Sequence, residues 1–285
     1  MSKLLNSLKN FNELVMFQHS IFSLPFIFIA MIVSADGWFG WYLLFMGALA
    51  AVTARNFAMG LNRYADRDVD AKNPRTASRP SVDGRISANA ILGFTIANAL
   101  GFIAVAYFIN DLAFYLSVPI LFVLGSYSYF KRFSSLAHII LGLSLGLAPI
   151  AGSVAVEATI PLWTVFLSVG VLFWVAGFDL LYSLQDIDFD KGAGLHSIPS
   201  KFGAKNTFRI AQFFHLLTII FWYLFVQEAG LGLFAYIAVI FSALMLSYEH
   251  YLVNKDFTKI DRAFFTINGY LGIIFIILII IEKAV

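Results

Sequence analysis

The sequence predicts an all-α, polytopic membrane bundle of nine transmembrane helices with its N-terminus in the cytoplasm. Three observations carry that expectation. Of 285 residues, 13% are charged and 60% hydrophobic, where a soluble domain has about 25% charged residues. Apolar stretches of the length that crosses a hydrocarbon core, about 20 residues, recur nine times. Finally, 17 of the 19 lysines and arginines fall between alternate stretches.

The nine stretches run near 15–35, 39–62, 87–109, 112–130, 134–156, 160–185, 208–227, 229–249 and 263–281. The joins at 109–112 and 227–229 leave room only for tight hairpins. No ten-residue apolar/polar alternation repeats, so a β-barrel is not expected. Lys3 and Lys9 precede the first stretch, six basic residues separate the second and third, and Lys131 and Arg132 follow the fourth. Lys191, Lys201, Lys205 and Arg209 follow the sixth, and Lys255, Lys259 and Arg262 precede the ninth. The positive-inside rule assigns these loops to the cytoplasm. No small-residue cleavage pattern follows the first stretch, which reads as a retained helix. Residues 1–285 read as a single membrane domain. The composition excludes a disordered chain, a soluble enzyme and, with a net charge of +2, a nucleic-acid-binding protein. With no cysteine, disulfides and thiolate metal sites are excluded.

Two carboxylate motifs carry the chemistry. The first is Asn62-x-x-x-Asp66-x-x-x-Asp70, whose spacing makes a ridge on one face if the second helix continues through it. The second is Asp179-x-x-Tyr182-x-x-x-Asp186-x-x-x-Asp190 at the end of the sixth helix. Both helices run toward the cytoplasm, so the acids crowd helix C-termini. There the dipole is negative and like charges at i, i+4 repel, so cations are expected to compensate. Hard oxygen ligands suit Mg²⁺, which takes one or two carboxylates together with phosphate oxygens. Two converging ridges can thus hold Mg²⁺ ions and, through them, a diphosphate. Acids that merely mark helix ends at the headgroups are the alternative, which two equivalent ridges set against the dipole disfavour.

Lys131 and Arg132, after Tyr127, can contact phosphate or serve as an ordinary cytoplasmic anchor. The loop Lys72-Asn-Pro-Arg75-Thr76-Ala-Ser-Arg79-Pro80 can neutralise a diphosphate. Arg55 lies about two turns inside the second helix and needs an anionic partner: Asp179, at similar depth, or a substrate carboxylate. Gln18 and His19 can line the same cavity or bond a neighbouring helix. A secondary transporter is the alternative of a different class. Transporter sites, however, lie near the midplane, whereas these acids cluster at one interface.

With both motifs, Arg75-Thr76-x-x-Arg79-Pro80, Gly84-Arg85-Ile86-Ser87, Tyr127-x-x-x-Lys131-Arg132 and Ser197-Ile198-Pro199, the chain resembles the UbiA superfamily of intramembrane aromatic prenyltransferases. The likeness extends over nearly the whole chain and is strongest from about 50 to 205. It implies Mg²⁺-dependent transfer of a polyprenyl group from its diphosphate to an aromatic acid in ubiquinone or menaquinone biosynthesis, at the cytoplasmic face of the inner membrane. Asn62, Asp66, Asp70, Asp186 and Asp190 would hold Mg²⁺, the four aspartates serving catalysis. Arg67, Lys72, Arg75, Lys131 and Arg132 would bind diphosphate, and Arg55, His19, Asp179 and Tyr182 the acceptor. Asn62-Arg63 and the segment Phe17–Pro25 resemble a branch labelled either 4-hydroxybenzoate polyprenyltransferase or the naphthoate prenyltransferase of the futalosine route. The better-known hydroxybenzoate enzymes carry an arginine in the first helix near the acceptor, where this region offers His19 and no arginine, so the resemblance leans toward a dihydroxynaphthoate. Haem, homogentisate and lipids are the other acceptors to weigh.

Overall fold

A computed structural model describes residues 2–16, 24–256, 260 and 263–285. Every regular element among them is helical: α1 (Ser2–Val15), α2 (Leu24–Ser34), α3 (Trp41–Ala65), α4 (Arg67–Asp70), α5 (Ala88–Ile109), α6 (Asp111–Phe130), α7 (Ala137–Glu157), α8 (Leu162–Tyr182), α9 (Ile187–Gly192), α10 (Ile198–Glu228), α11 (Leu233–Lys255) and α12 (Asn268–Ala284). Eight of the helices are long and apolar enough to cross a membrane, and α2 is a shorter apolar helix of 11 residues. The protein is a multi-pass membrane protein. The first expected span, 15–35, is therefore seen only as α2, since 17–23 lie outside the described residues. It is not preceded by bare chain: α1 ends at Val15, and Met16 turns with φ 47°.

Helix ends follow local chemistry. Ser87 caps α5 by accepting from Ala90 N at 3.3 Å. Asn110 accepts from Ala113 N at 2.8 Å, starting α6, and donates to Val154 O on α7. The seventh expected stretch begins ten residues early, because Ser197 and Ser200 form a capping box with Pro199 in the first turn. The helix kinks at Gly203, whose φ of 75° suits glycine.

Helix α8 is the hub, packed on α7 and on α10. Around it α2, α10, α11 and α12 close a core of buried side chains. Phe26, Trp174, Trp222 and Phe275 form its aromatic centre, with ring centroids 5.1–6.0 Å apart. On the α8 face toward α10 stand Gly170 and Gly177, where a Cβ would collide with the rings of Trp222 and His215. Small residues let membrane helices approach this closely. Helices α3, α5 and α6 pack together on the other side of α7. The C-terminal ends of α3 and α8 thereby meet at one end of the bundle.

Candidate active site

Neither acidic motif lies on an unbroken helix. α3 stops at Ala65, and Asp66 has φ −92° and ψ 5° before α4 begins. α8 stops at Tyr182 and tightens into a 3₁₀ turn over Ser183–Asp186 before α9. Relaxing the helix where acids crowd its negative end is the physical reason. The faces survive the break, because Asp66 N donates to Asn62 O at 2.9 Å and Asp70 N to Asp66 O at 2.7 Å. Asn62, Asp66, Asp70, Asp179, Asp186 and Asp190 all line one cavity of about 280 Å³.

The expected compensating cations are present. Lys131 Nζ donates to Asp66 Oδ2 at 2.6 Å. Arg79 Nη1 donates to both oxygens of Asp70 at 2.7 Å. Arg75 grips Asp186 with Nε and Nη2, at 3.1 and 2.5 Å, and donates from Nη1 to Tyr182 Oη at 3.2 Å. The loop holding these arginines folds onto the site: Thr76 Oγ1 donates to Asp70 O, and Asn73 Nδ2 to Asp186 Oδ1. Ser197 hydrogen-bonds Asp190. Asp66 is 2% exposed. Its burial pushes the carboxyl above the usual range and Lys131 counters that push. Its Oδ1 is buried without a hydrogen-bond partner.

The expected diphosphate set divides. Arg75 and Lys131 line the cavity. Arg67 instead stacks on Tyr64, 4.5 Å from the ring centre. Lys72 is exposed on the surface, and Arg132 forks onto Asp68 at 3.0 and 2.7 Å. The Arg55–Asp179 pairing is overturned. Asp179 Oδ2 lies 2.7 Å from His138 Nδ1. Arg55 Nη2 donates to Val15 O and Met16 O, and buried Arg63 donates from Nε to Leu14 O. Two guanidiniums thus cap the carbonyls that end α1, where a helix welcomes positive charge. His19 lies outside the described residues.

Arg79, Asn73, Arg63 and His138 also line the cavity, beyond the residues assigned a site role from the sequence. The first two sit in the Lys72–Pro80 loop, which the sequence already marked as able to neutralise a diphosphate. His138 carries no signal, its partner being 41 residues away.

Arg55, with an Nε that is buried and unpartnered, lines a neighbouring apolar pocket of about 150 Å³ that shares Tyr127 and Leu141 with the polar cavity. That pocket shares Ile27, Ala50, Phe102, Ile120 and Ala151 with a further apolar one between α2, α3, α5, α6 and α7. Among the described residues no three of His, Cys, Asp or Glu stand close enough to hold an ion alone. The donors are nonetheless all hard oxygens on facing walls, with the Asp66 Oδ1 lone pairs unclaimed. That set fits Mg²⁺ shared with a phosphate, which needs only one or two carboxylates per ion.

The model of the UbiA prenyltransferase family matches residues 23–277. The chain belongs to that family. It is a prenyltransferase. The 4-hydroxybenzoate octaprenyltransferase of Burkholderia orbicola (strain MC0-3) is 32% identical over 246 residues, 85% of this chain and 84% of that one. The Herminiimonas arsenicoxydans enzyme of the same name is 32% identical over 174 residues, and the match spans 61% of either chain. Among solved structures, the apo structure of a UbiA homolog from Aeropyrum pernix K1 matches with a TM-score of 0.84 at 31% identity, covering 93% of this chain and 98% of that one. A UbiA homolog from Archaeoglobus fulgidus bound to DMAPP and Mg²⁺ matches with a TM-score of 0.78 at 22% identity, covering 97% and 99%.

Proposed function

We propose that this UbiA prenyltransferase transfers a polyprenyl group from its diphosphate to an aromatic acid, 4-hydroxybenzoate or a dihydroxynaphthoate, in quinone biosynthesis. The observation that carries this reading is the convergence of both acidic motifs and the arginine loop on one polar cavity that abuts an apolar path. The names of the relatives favour hydroxybenzoate, while His19 favours the naphthoate. The basic loops favour a site that faces the cytoplasm, which fits the inner-membrane reading, and residues 1–285 are read as one domain. Acids gathered at helix ends, away from the midplane, leave the transporter reading without support.

Asn62, Asp66, Asp70, Asp186 and Asp190, which all line the polar cavity, would hold Mg²⁺. When bound, Mg²⁺ supplies electrostatic stabilisation to the departing diphosphate. Arg75 and Lys131 exchange their aspartates for phosphate oxygens, adding charge where it develops. Asp66 and Asp186, freed of those cations, would be among the residues that hold the ion. The apolar path beyond Tyr127 takes the isoprenoid tail. The Arg55 guanidinium holds the acceptor carboxylate, while Asp179 lines the adjoining polar cavity and Tyr182 accepts from Arg75. Purified protein given a polyprenyl diphosphate, Mg²⁺ and a panel of acceptors is expected to prenylate 4-hydroxybenzoate or the dihydroxynaphthoate. Product only from homogentisate, haem or a lipid would overturn the acceptor assignment.

A further inference from the structure

The reaction needs a proton acceptor, and the acidic motifs do not provide an obvious one. Asp66, Asp70 and Asp186 are each held by a cation, and Asp190 by Ser197. His138 is different. It lies on the first turn of α7, lines the polar cavity, and stands three residues before Leu141, where that cavity joins the apolar pocket. The residue is 6% exposed. Nδ1 is 2.7 Å from Asp179 Oδ2. A carboxylate only accepts hydrogen bonds, so Nδ1 carries the hydrogen and the lone pair of the neutral ring lies on Nε2. Nε2 is buried and has no hydrogen-bond partner. A buried acceptor left unpaired is costly and calls for a physical reason. A histidine with one nitrogen fixed by a carboxylate and the lone pair of the other unengaged has the form of an oriented base.

We propose that His138 is the general base that removes the ring proton from the prenylated acceptor, with Asp179 as its positioning residue. The inference rests on the aromatic-acid reading above. The allylic C–O bond breaks and its electron pair leaves with the diphosphate. A ring π pair of the acceptor forms the new C–C bond, leaving a cationic ring with a hydrogen on the substituted carbon. Nε2 takes that proton, the C–H pair restores the aromatic ring, and the imidazolium is stabilised by Asp179 until the proton passes to solvent. Junction placement matters here, because the acceptor must meet the diphosphate on one side and the isoprenoid on the other.

The experiment compares wild type with His138→Asn and Asp179→Asn, using acceptor with hydrogen or deuterium at the ring carbon that is alkylated. His138→Asn keeps a donor toward Asp179 and removes the Nε2 lone pair. A general base contributes about 10²–10⁴-fold, so turnover should fall within that range while the KM for polyprenyl diphosphate stays unchanged. A deuterium isotope effect absent from wild type should appear, because proton removal becomes the slow step. Asp179→Asn should show the same isotope effect with a smaller loss. Turnover of a folded His138→Asn protein within about threefold of wild type would overturn the proposal. So would a slow variant with no isotope effect, since a merely structural histidine does not make C–H cleavage rate-limiting. A wild type that prenylates no aromatic acid would bring down the underlying functional reading as well, and is told apart by the wild-type arm alone.

Discussion

Asp66 shows how one side chain can be poised between two partners. Its Oδ2 holds Lys131 Nζ and Asn62 Nδ2, while Oδ1 is buried and unclaimed. Asp66→Ala removes that oxygen, and Asp186→Ala removes the two gripped by Arg75. Each is expected to lower turnover by at least about 10²-fold, the scale of losing one electrostatic contact in a transition state, with insertion and expression retained. Prenyl-transfer assays at matched expression check this. Arg55 has two duties, toward the carbonyls ending α1 and toward the pocket. Arg55→Leu should raise the acceptor KM by about 10–100-fold, the loss of a charge-assisted hydrogen bond of about 1.5–3 kcal/mol. The KM for polyprenyl diphosphate should barely move, and measuring both shows whether the guanidinium reads the carboxylate. Type and spacing made these aspartates legible in the sequence. The partner of Arg55 was not, since depth along a helix says nothing about which neighbour fills the space. Asp179 matched it in depth but faces His138.

Helix spans were legible from apolar length alone: 39–62, 87–109 and 134–156 answer to Trp41–Ala65, Ala88–Ile109 and Ala137–Glu157. The breaks at Asp66 and after Tyr182 were not, because they arise from charge crowding at helix ends, which periodicity does not register. The α8–α10 seam makes a separate claim at this scale. A Cβ at Gly177 would meet the ring of buried His215, so Gly177→Ala should cost about 1–3 kcal/mol by overpacking, seen as a lower melting temperature in detergent. Helix α4 is tied to the end of α6 by Asp68 and Arg132. The Arg132 hydrogen bonds hold the Asp68 carboxyl down at about 2. This lies below the value near 3.9 of an unfolded aspartate, so the clamp contributes fully above about pH 4 and is lost as pH falls through about 2. Asp68 is largely exposed, which limits the pair to at most about 1 kcal/mol. Asp68→Asn should therefore lower the melting temperature slightly at neutral pH and leave it unchanged near pH 2.

Across the whole molecule, the bundle brings two chain segments more than a hundred residues apart to one polar cavity and sets an apolar path beside it. Burial on both sides of α8 anchors the approach to the second motif, and the arginine loop ties the two motifs together through Arg79 to Asp70 and Arg75 to Asp186. Membership of the UbiA prenyltransferase family accords with that arrangement. The residue motifs pointed to it, whereas the division of the basic residues between cavity and surface required the folded chain. The central claim is that these facing acids serve a divalent cation bound with a diphosphate. Its most direct test is polyprenyl transfer by the purified protein, stripped with EDTA and then titrated with Mg²⁺. Turnover absent after chelation and restored as Mg²⁺ returns is the predicted result; full turnover in EDTA would contradict it.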